Sequence, residues 1–113
     1  MFKVVWFANF RGDMPREAAA DHWRDVHGPI AVRVPGIDRY VQNLATAAFD
    51  GDGERGDLPA FDGFSECWFA DRDAYLRSQE SREWDELAAD GANFMDMTSL
   101  EGMSAVLEER VIR

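Results

Sequence analysis

Apolar side chains crowd residues 2–10 on both sides of a two-residue period. Phe2, Val4, Trp6, Ala8 and Phe10 fall on one face, and Val5 and Phe7 share the other with Lys3 and Asn9. That pattern predicts a mostly buried strand. Arg11-Gly12-Asp13-Met14-Pro15 supplies turn residues, and Pro15, whose missing N–H would be unpaired in a first turn anyway, predicts a helix starting there. At about 100° per residue, Ala19, Ala20, Trp23, Val26 and His27 form one apolar stripe, with Glu17, Asp21, Arg24 and Asp25 outside it. Gly28-Pro29 predicts the end of this helix, because proline disfavours helical dihedrals in the residue before it. His27 then belongs to the last turn, and His22, about 100° from the stripe centre, belongs to a solvated flank.

After Pro35-Gly36, residues 37–45 alternate Tyr40, Gln42 and Leu44 against Arg39, Val41, Asn43 and Ala45, which predicts a strand of mixed polarity. Residues 50–57 hold three glycines and four acids and read as an exposed, mobile loop. Residues 64–70 form a third strand, with Ser65, Cys67 and Phe69 on one face and Phe64, Glu66 and Trp68 on the other. Asp71 is placed to cap a short helix through Tyr75, Leu76 and Gln79, and Ser81 to cap a second with the stripe Trp84, Leu87 and Ala88, closed by Gly91. Residues 94–97 are irregular and predicted to cover the core or a partner, and residues 104–112 form a last strand. The order strand, helix, strand, strand, helix, strand is that of the split βαβ, ferredoxin-like α+β fold: a four-stranded antiparallel sheet with its helices on one face. The uncovered face carries more aromatic surface than a small core absorbs, so burial against a second copy, a homodimer, is expected.

The chain has 113 residues, enough for one core, so a single domain over 1–113 is expected. Twelve basic against 22 acidic side chains leave a formal charge of −10. So negative a surface repels phosphate backbones, and the basic residues are dispersed singly, so no nucleic-acid partner is expected. No apolar run approaches the roughly 18–20 residues of a membrane span. The single cysteine, Cys67, and an amino terminus without a leader signature point to a reducing cytoplasm.

Signals for metal and phosphate chemistry are missing. His22 and His27 are five apart, not the i, i+4 spacing that puts two imidazoles on one metal, and Cys67 has no paired cysteine. Gly51, Gly53 and Gly56 lie among acids that would repel a phosphate. A single haem-bound histidine leaves no spacing signature and stays open as a third reading. His27 is the most informative residue: burial favours its neutral form and a helix carboxyl end favours the charged one, so it titrates where a proton moves either way. The competing reading is a structural histidine bonded to a carbonyl. Cys67 is either a small buried hydrophobe or, beside a charged His27, an activated thiol, and Tyr40 on the neighbouring strand offers a hydroxyl donor. Trp6, Trp23, Gln42 and Phe69 are the candidate substrate-binding residues, aromatic lining with a polar group being what a small-molecule cleft requires.

The runs His22-Trp23-Arg24-Asp25-Val26-His27-Gly28-Pro29-Ile30, Val34-Pro35-Gly36 and Tyr40-Val41-Gln42-Asn43 resemble the EthD family of dimeric α+β barrel proteins, as do residues 61–69 and 81–84. The resemblance implies a ferredoxin-like protomer, dimerisation through sheet faces, and a cleft between sheet and helices. Glu66-Cys67-Trp68-Phe69-Ala70, followed by Tyr75, is similar to the matching stretch of methylmuconolactone methylisomerases, cofactor-free enzymes whose cysteine, helix-end histidine and strand tyrosine correspond to Cys67, His27 and Tyr40. A further histidine of those enzymes, after the second strand, is replaced here by Asp50, Asp52, Glu54 and Asp57. The resemblance implies a cofactor-independent isomerase, cyclase or lyase acting on a small cyclic oxygenated compound. Cys67 would shuttle a proton and His27 would tune it or hold the substrate; if Cys67 only packs, His27 is the acid/base and Tyr40 the electrophilic donor. The alternative is a non-catalytic dimer that binds a hydrophobic small molecule.

Overall fold

The computed structural model describes residues 1–98 and 104–113. The main sheet is built around β1 (Phe2–Ala8), which pairs antiparallel on one side with β5 (Gly63–Phe69) and on the other with β6 (Ser104–Leu107). β2 (Ile37–Leu44) completes it as the edge beside β5, giving the order β2-β5-β1-β6. This is the ferredoxin-like order. Residues 49–54, overlapping the 50–57 stretch predicted to be a mobile loop, form a small hairpin of β3 (Phe49–Asp50) and β4 (Gly53–Glu54).

The register decides what the helices see. Tyr40, Cys67 and Val4 lie side by side across β2, β5 and β1, and Gln42, Ser65 and Trp6 form the next row. Because side chains alternate across a sheet, both rows face the same way. At the start of β5 the strand must be glycine: a Cβ on Gly63 would overlap the Asn43 carbonyl and lie 3.0 Å from the Trp23 indole.

The helical layer departs from expectation at its most consequential point. α1 (Arg16–His22) does not stop at Gly28-Pro29; it passes through a π-helical turn (Trp23–His27) into α2 (Gly28–Ala31). Pro29 cannot donate to a carbonyl four residues back, and its ring would strike that carbonyl in a regular α-helix. The backbone instead widens by one residue, with the Gly28 N–H bonding the Trp23 carbonyl five residues back, and Pro29 opens the next helical turn, where its missing N–H costs nothing. His27 is therefore mid-helix rather than at a carboxyl end. The other two helices start where their caps predict: α3 (Arg72–Ser78), with the Asp71 carboxylate accepting from the Ala74 N–H at 2.8 Å, and α4 (Arg82–Gly91), with the Ser81 hydroxyl accepting from the Trp84 N–H at 3.1 Å.

Residues 94–97 cover one end of the sheet. Phe10 forms a bridge with Met95, and the Asp96 N–H donates to the Asn9 carbonyl at 2.8 Å, which ends β1 at Ala8 rather than Phe10. β6 is likewise shorter than predicted, because the charged residues from Glu108 onward leave the ladder. Two buried clusters result, one of Ala8, Phe10, Ala19, Trp23 and Phe94, the other of Val4, Cys67, Phe69 and Ala74. On the opposite side of the sheet Lys3 pairs with Glu66 at 2.7 Å, Lys3 and Arg39 both lie over the Trp68 ring, and the rings of Phe7, Phe61 and Phe64 pack edge-on or tilted against one another. No helix among the described residues is long and apolar enough to cross a membrane.

Candidate functional site

Between the sheet rows and the helices lies a cavity of about 470 Å³. Trp6, Tyr40, Ser65 and Cys67 line it from the sheet, Trp23 and His27 from the π turn, and Trp84 and Leu87 from α4. Met95 and Met97 close one side.

The π turn organises its polar edge. In a five-residue turn, side chains five apart come onto one face, so His22 and His27 both reach the same acid on α4, Asp90. His27 Nδ1 is 2.9 Å from Asp90 Oδ2, and His22 Nε2 is 2.9 Å from Oδ1, to which Asn93 Nδ2 also donates at 3.0 Å. The fully buried Phe94 ring supports both imidazoles, at 5.2 Å from His22 and 4.9 Å edge-on to His27. His22 is half-buried and bonded, not a solvated flank. Neither Asp90 nor its two-histidine bridge was anticipated. The available signal was an acid three residues after Leu87, on the edge of the apolar stripe of α4.

Protonation follows from this geometry. Burial pushes the Asp90 carboxyl up, but hydrogen bonds from Asn93, His22 and His27 outweigh it and hold the group below its ordinary value. Asp90 is thus an ionised, acceptor-only partner, and His27 must donate to it from Nδ1. Burial lowers the His27 pKa despite the opposing pull of Asp90, so the ring is neutral near pH 7 and its Nε2 carries a lone pair. Nε2 has no hydrogen-bond partner among the described residues, and no buried side-chain N or O atom among them is left unsatisfied, so this nitrogen opens onto the cavity that His27 lines.

Opposite it on the sheet, Gln42 Nε2 donates to the Trp23 carbonyl at 2.7 Å and to the Tyr40 hydroxyl oxygen at 3.1 Å. Burial pushes Tyr40 up to about 12, with the hydrogen bond from Gln42 the first influence opposing it. Tyr40 is a phenol at neutral pH, with its oxygen already holding a donor and its hydrogen free to donate. Burial likewise pushes Cys67 up to about 12, with Ser65 opposing, so almost no thiolate exists at neutral pH and the environment is that of a small buried hydrophobe. Of the expected binding residues, Trp6 and Trp23 line the cavity. Gln42 stands behind Tyr40 rather than on the cavity wall, and Phe69, 1% exposed, is core, packed 5.1 Å from the Tyr75 ring. Ser65 was missed, although its alternation with Cys67 places it on the same face. Among the described residues, no cluster of His, Cys, Asp and Glu side chains is arranged to hold a metal ion.

The EthD domain profile matches residues 11–98. The chain belongs to the EthD family. An EthD-like protein from Ralstonia eutropha superposes on this EthD protein with a TM-score of 0.71 at 17% identity, covering 99% of this chain and 94% of that one. An ethyl tert-butyl ether D family protein from Bacillus halodurans gives 0.68 at 16% identity, covering 98% and 99%. A dimeric protein of unknown function and ferredoxin-like fold from Bacteroides fragilis gives 0.60 at 12% identity, covering 97% and 95%. A search of functionally curated proteins found no match. At these identities the structural likeness establishes the ferredoxin-like fold.

Proposed function

We propose that this EthD protein is a cofactor-independent enzyme that moves a proton at carbon beside a carbonyl in a small cyclic oxygenated compound, as an isomerase, cyclase or lyase does. The observation that carries this reading is the Asp90–His27 pair, 2.9 Å apart, at the wall of a cavity of about 470 Å³. His27 Nε2 takes the proton, the C–H electron pair moves toward the carbonyl oxygen, and Tyr40 donates a hydrogen bond to the oxygen as it becomes an enolate. Asp90 stabilises the imidazolium and keeps its ring in place. His27 then returns the proton to another carbon, or delivers it to the oxygen that departs as its C–O bond breaks and the enolate electron pair forms the new double bond, and in either case the imidazole is neutral again. Cys67 fills space in this scheme.

The same reading takes the protein as a homodimer, joined through the sheet face of Phe7, Phe61 and Phe64, where half-buried aromatic surface is left for a second copy to cover.

The test is deuterium incorporation from D₂O into a panel of cyclic hydroxyketones and lactones, followed by mass spectrometry. His27→Ala and Tyr40→Phe are each expected to slow exchange on an active compound by about 10² or more, measured well below the melting temperature, which His27→Ala lowers because it removes a bond to the buried Asp90 carboxylate. Binding without exchange, at equal affinity in wild type and His27→Ala, would instead mark a carrier.

A further inference from the structure

We infer that the cavity takes an uncharged ligand: a planar, fused-ring hydroxyketone or lactone bearing no carboxylate or phosphate. The orientation of its carbonyl rests on the acid–base reading above; its lack of charge does not. The cavity offers three kinds of surface. Its walls are aromatic and aliphatic, with the Trp6 and Trp84 rings 6.0 Å apart and tilted at 57°, and Met95 and Met97 supply a soft, adaptable side. Tyr40, Ser65 and His27 bring hydroxyl and imidazole groups, which serve carbonyl and hydroxyl oxygens. No lysine or arginine among the described residues lines it.

The whereabouts of the twelve basic residues make that deficit general. Lys3 and Arg39 are on the far side of the sheet, 4.8 and 4.7 Å from the Trp68 ring centre. Arg11, Arg16, Arg24, Arg33 and Arg55 are each held by an acid outside the cavity. Arg72, Arg77, Arg82, Arg110 and Arg113 are exposed, as is Met1 with the amino terminus. Residues 99–103 contain no lysine or arginine, so the stretch following Met97 and Thr98 brings none either. Among the described residues, the one buried charge beside the cavity is of the wrong sign for an anion: Asp90, 8% exposed, directly behind His27. A ligand carboxylate would lose its hydration, gain no cation and face that carboxylate in a protein of net charge −10. A cavity of about 470 Å³ is within the range that encloses a drug-sized ligand, which suits two or three fused rings.

The experiment uses two probes of one shape, 2-acetyl-1-naphthol and 1-hydroxy-2-naphthoate, titrated at pH 7 against intrinsic tryptophan fluorescence, with Trp6, Trp23 and Trp84 reporting from the cavity wall. The ketone is expected to bind at least about 30-fold more tightly than the carboxylate. Ala88→Arg, which sets a cation at the cavity edge, should narrow the gap to less than about 3-fold by strengthening carboxylate binding. Equal or tighter binding of the carboxylate by the wild type would overturn the inference, as would binding of neither probe. His27→Ala separates the two claims: with the preference for the ketone intact and proton exchange unaffected, the acid–base reading falls while the charge argument stands.

Discussion

Replacing Asp90 by asparagine keeps the shape of the side chain and removes the charge on which two histidines depend. Asp90 is 8% exposed and accepts from His27 and His22 at 2.9 Å each and from Asn93 at 3.0 Å. Two carboxylate oxygens serve all three donors; an amide has one oxygen and turns an NH₂ toward one of the imidazoles. Where that imidazole is His27, its proton must move from Nδ1 to Nε2, and the cavity faces a donor where it had a base. Hydrogen bonds to a charged group are worth about 1.5–3 kcal/mol and neutral ones about 0.5–1.5 kcal/mol, so three bonds weakened by about 1 kcal/mol each give a loss of about 3 kcal/mol. The smaller cost of burying an amide returns part of it, leaving about 2 kcal/mol, and at about 4–8 °C per kcal/mol for a domain near this size the midpoint should fall by about 8–16 °C. Thermal denaturation followed by circular dichroism at pH 7.5 measures this, and long-range ¹H–¹⁵N correlation spectra read the His27 tautomer directly. A midpoint within about 2 °C of wild type, with the His27 proton still on Nδ1, would refute the argument that Asp90 sets the state of the base.

Three further outcomes are expected. Cys67→Ala should keep proton-exchange activity within about 3-fold of wild type, and native Cys67, with its thiol pushed up to about 12, should react with a disulfide reagent at pH 8 far more slowly than a free thiol; prompt stoichiometric labelling would count against this. Because burial holds the folded-state His27 pKa below its unfolded value of about 6.5, the unfolded chain takes up that proton first, and the stability contributed by neutral His27 is present above about pH 6.5 and lost as pH falls toward the folded-state value. Urea unfolding at pH 7.5 and 5.5 should show lower stability at the acid end, and a smaller drop in His27→Gln; equal drops in both would remove His27 as the cause. Phe64→Asp, on the sheet face away from the helices, should convert a dimer to a monomer by light scattering while leaving the circular dichroism spectrum intact; a monomeric wild type would dispose of the proposed interface.

Local patterning along the chain is enough to place the four strands of the main sheet. Alternation in 2–10 and 64–70 set which residues of β1 and β5 share a face, so Cys67 could be assigned to the face opposite Glu66 before any register was known. Asp71 and Ser81 marked the starts of α3 and α4 because capping is a local bond made within three residues. The constellation at the cavity comes instead from packing between distant elements. A helical wheel advances by a constant angle, and Pro29 breaks that constancy: the π turn adds a residue and swings His22 onto the face of His27. Asp90, their shared partner, is 63 residues from His27, and pattern within one helix carries no information about a hydrogen bond between two. Phe69 and Gln42 went to the core and to the support of Tyr40 for the same reason. Alternation tells which face of a strand a side chain is on, but whether that stretch of the face meets a helix or a cavity depends on how the layers pack.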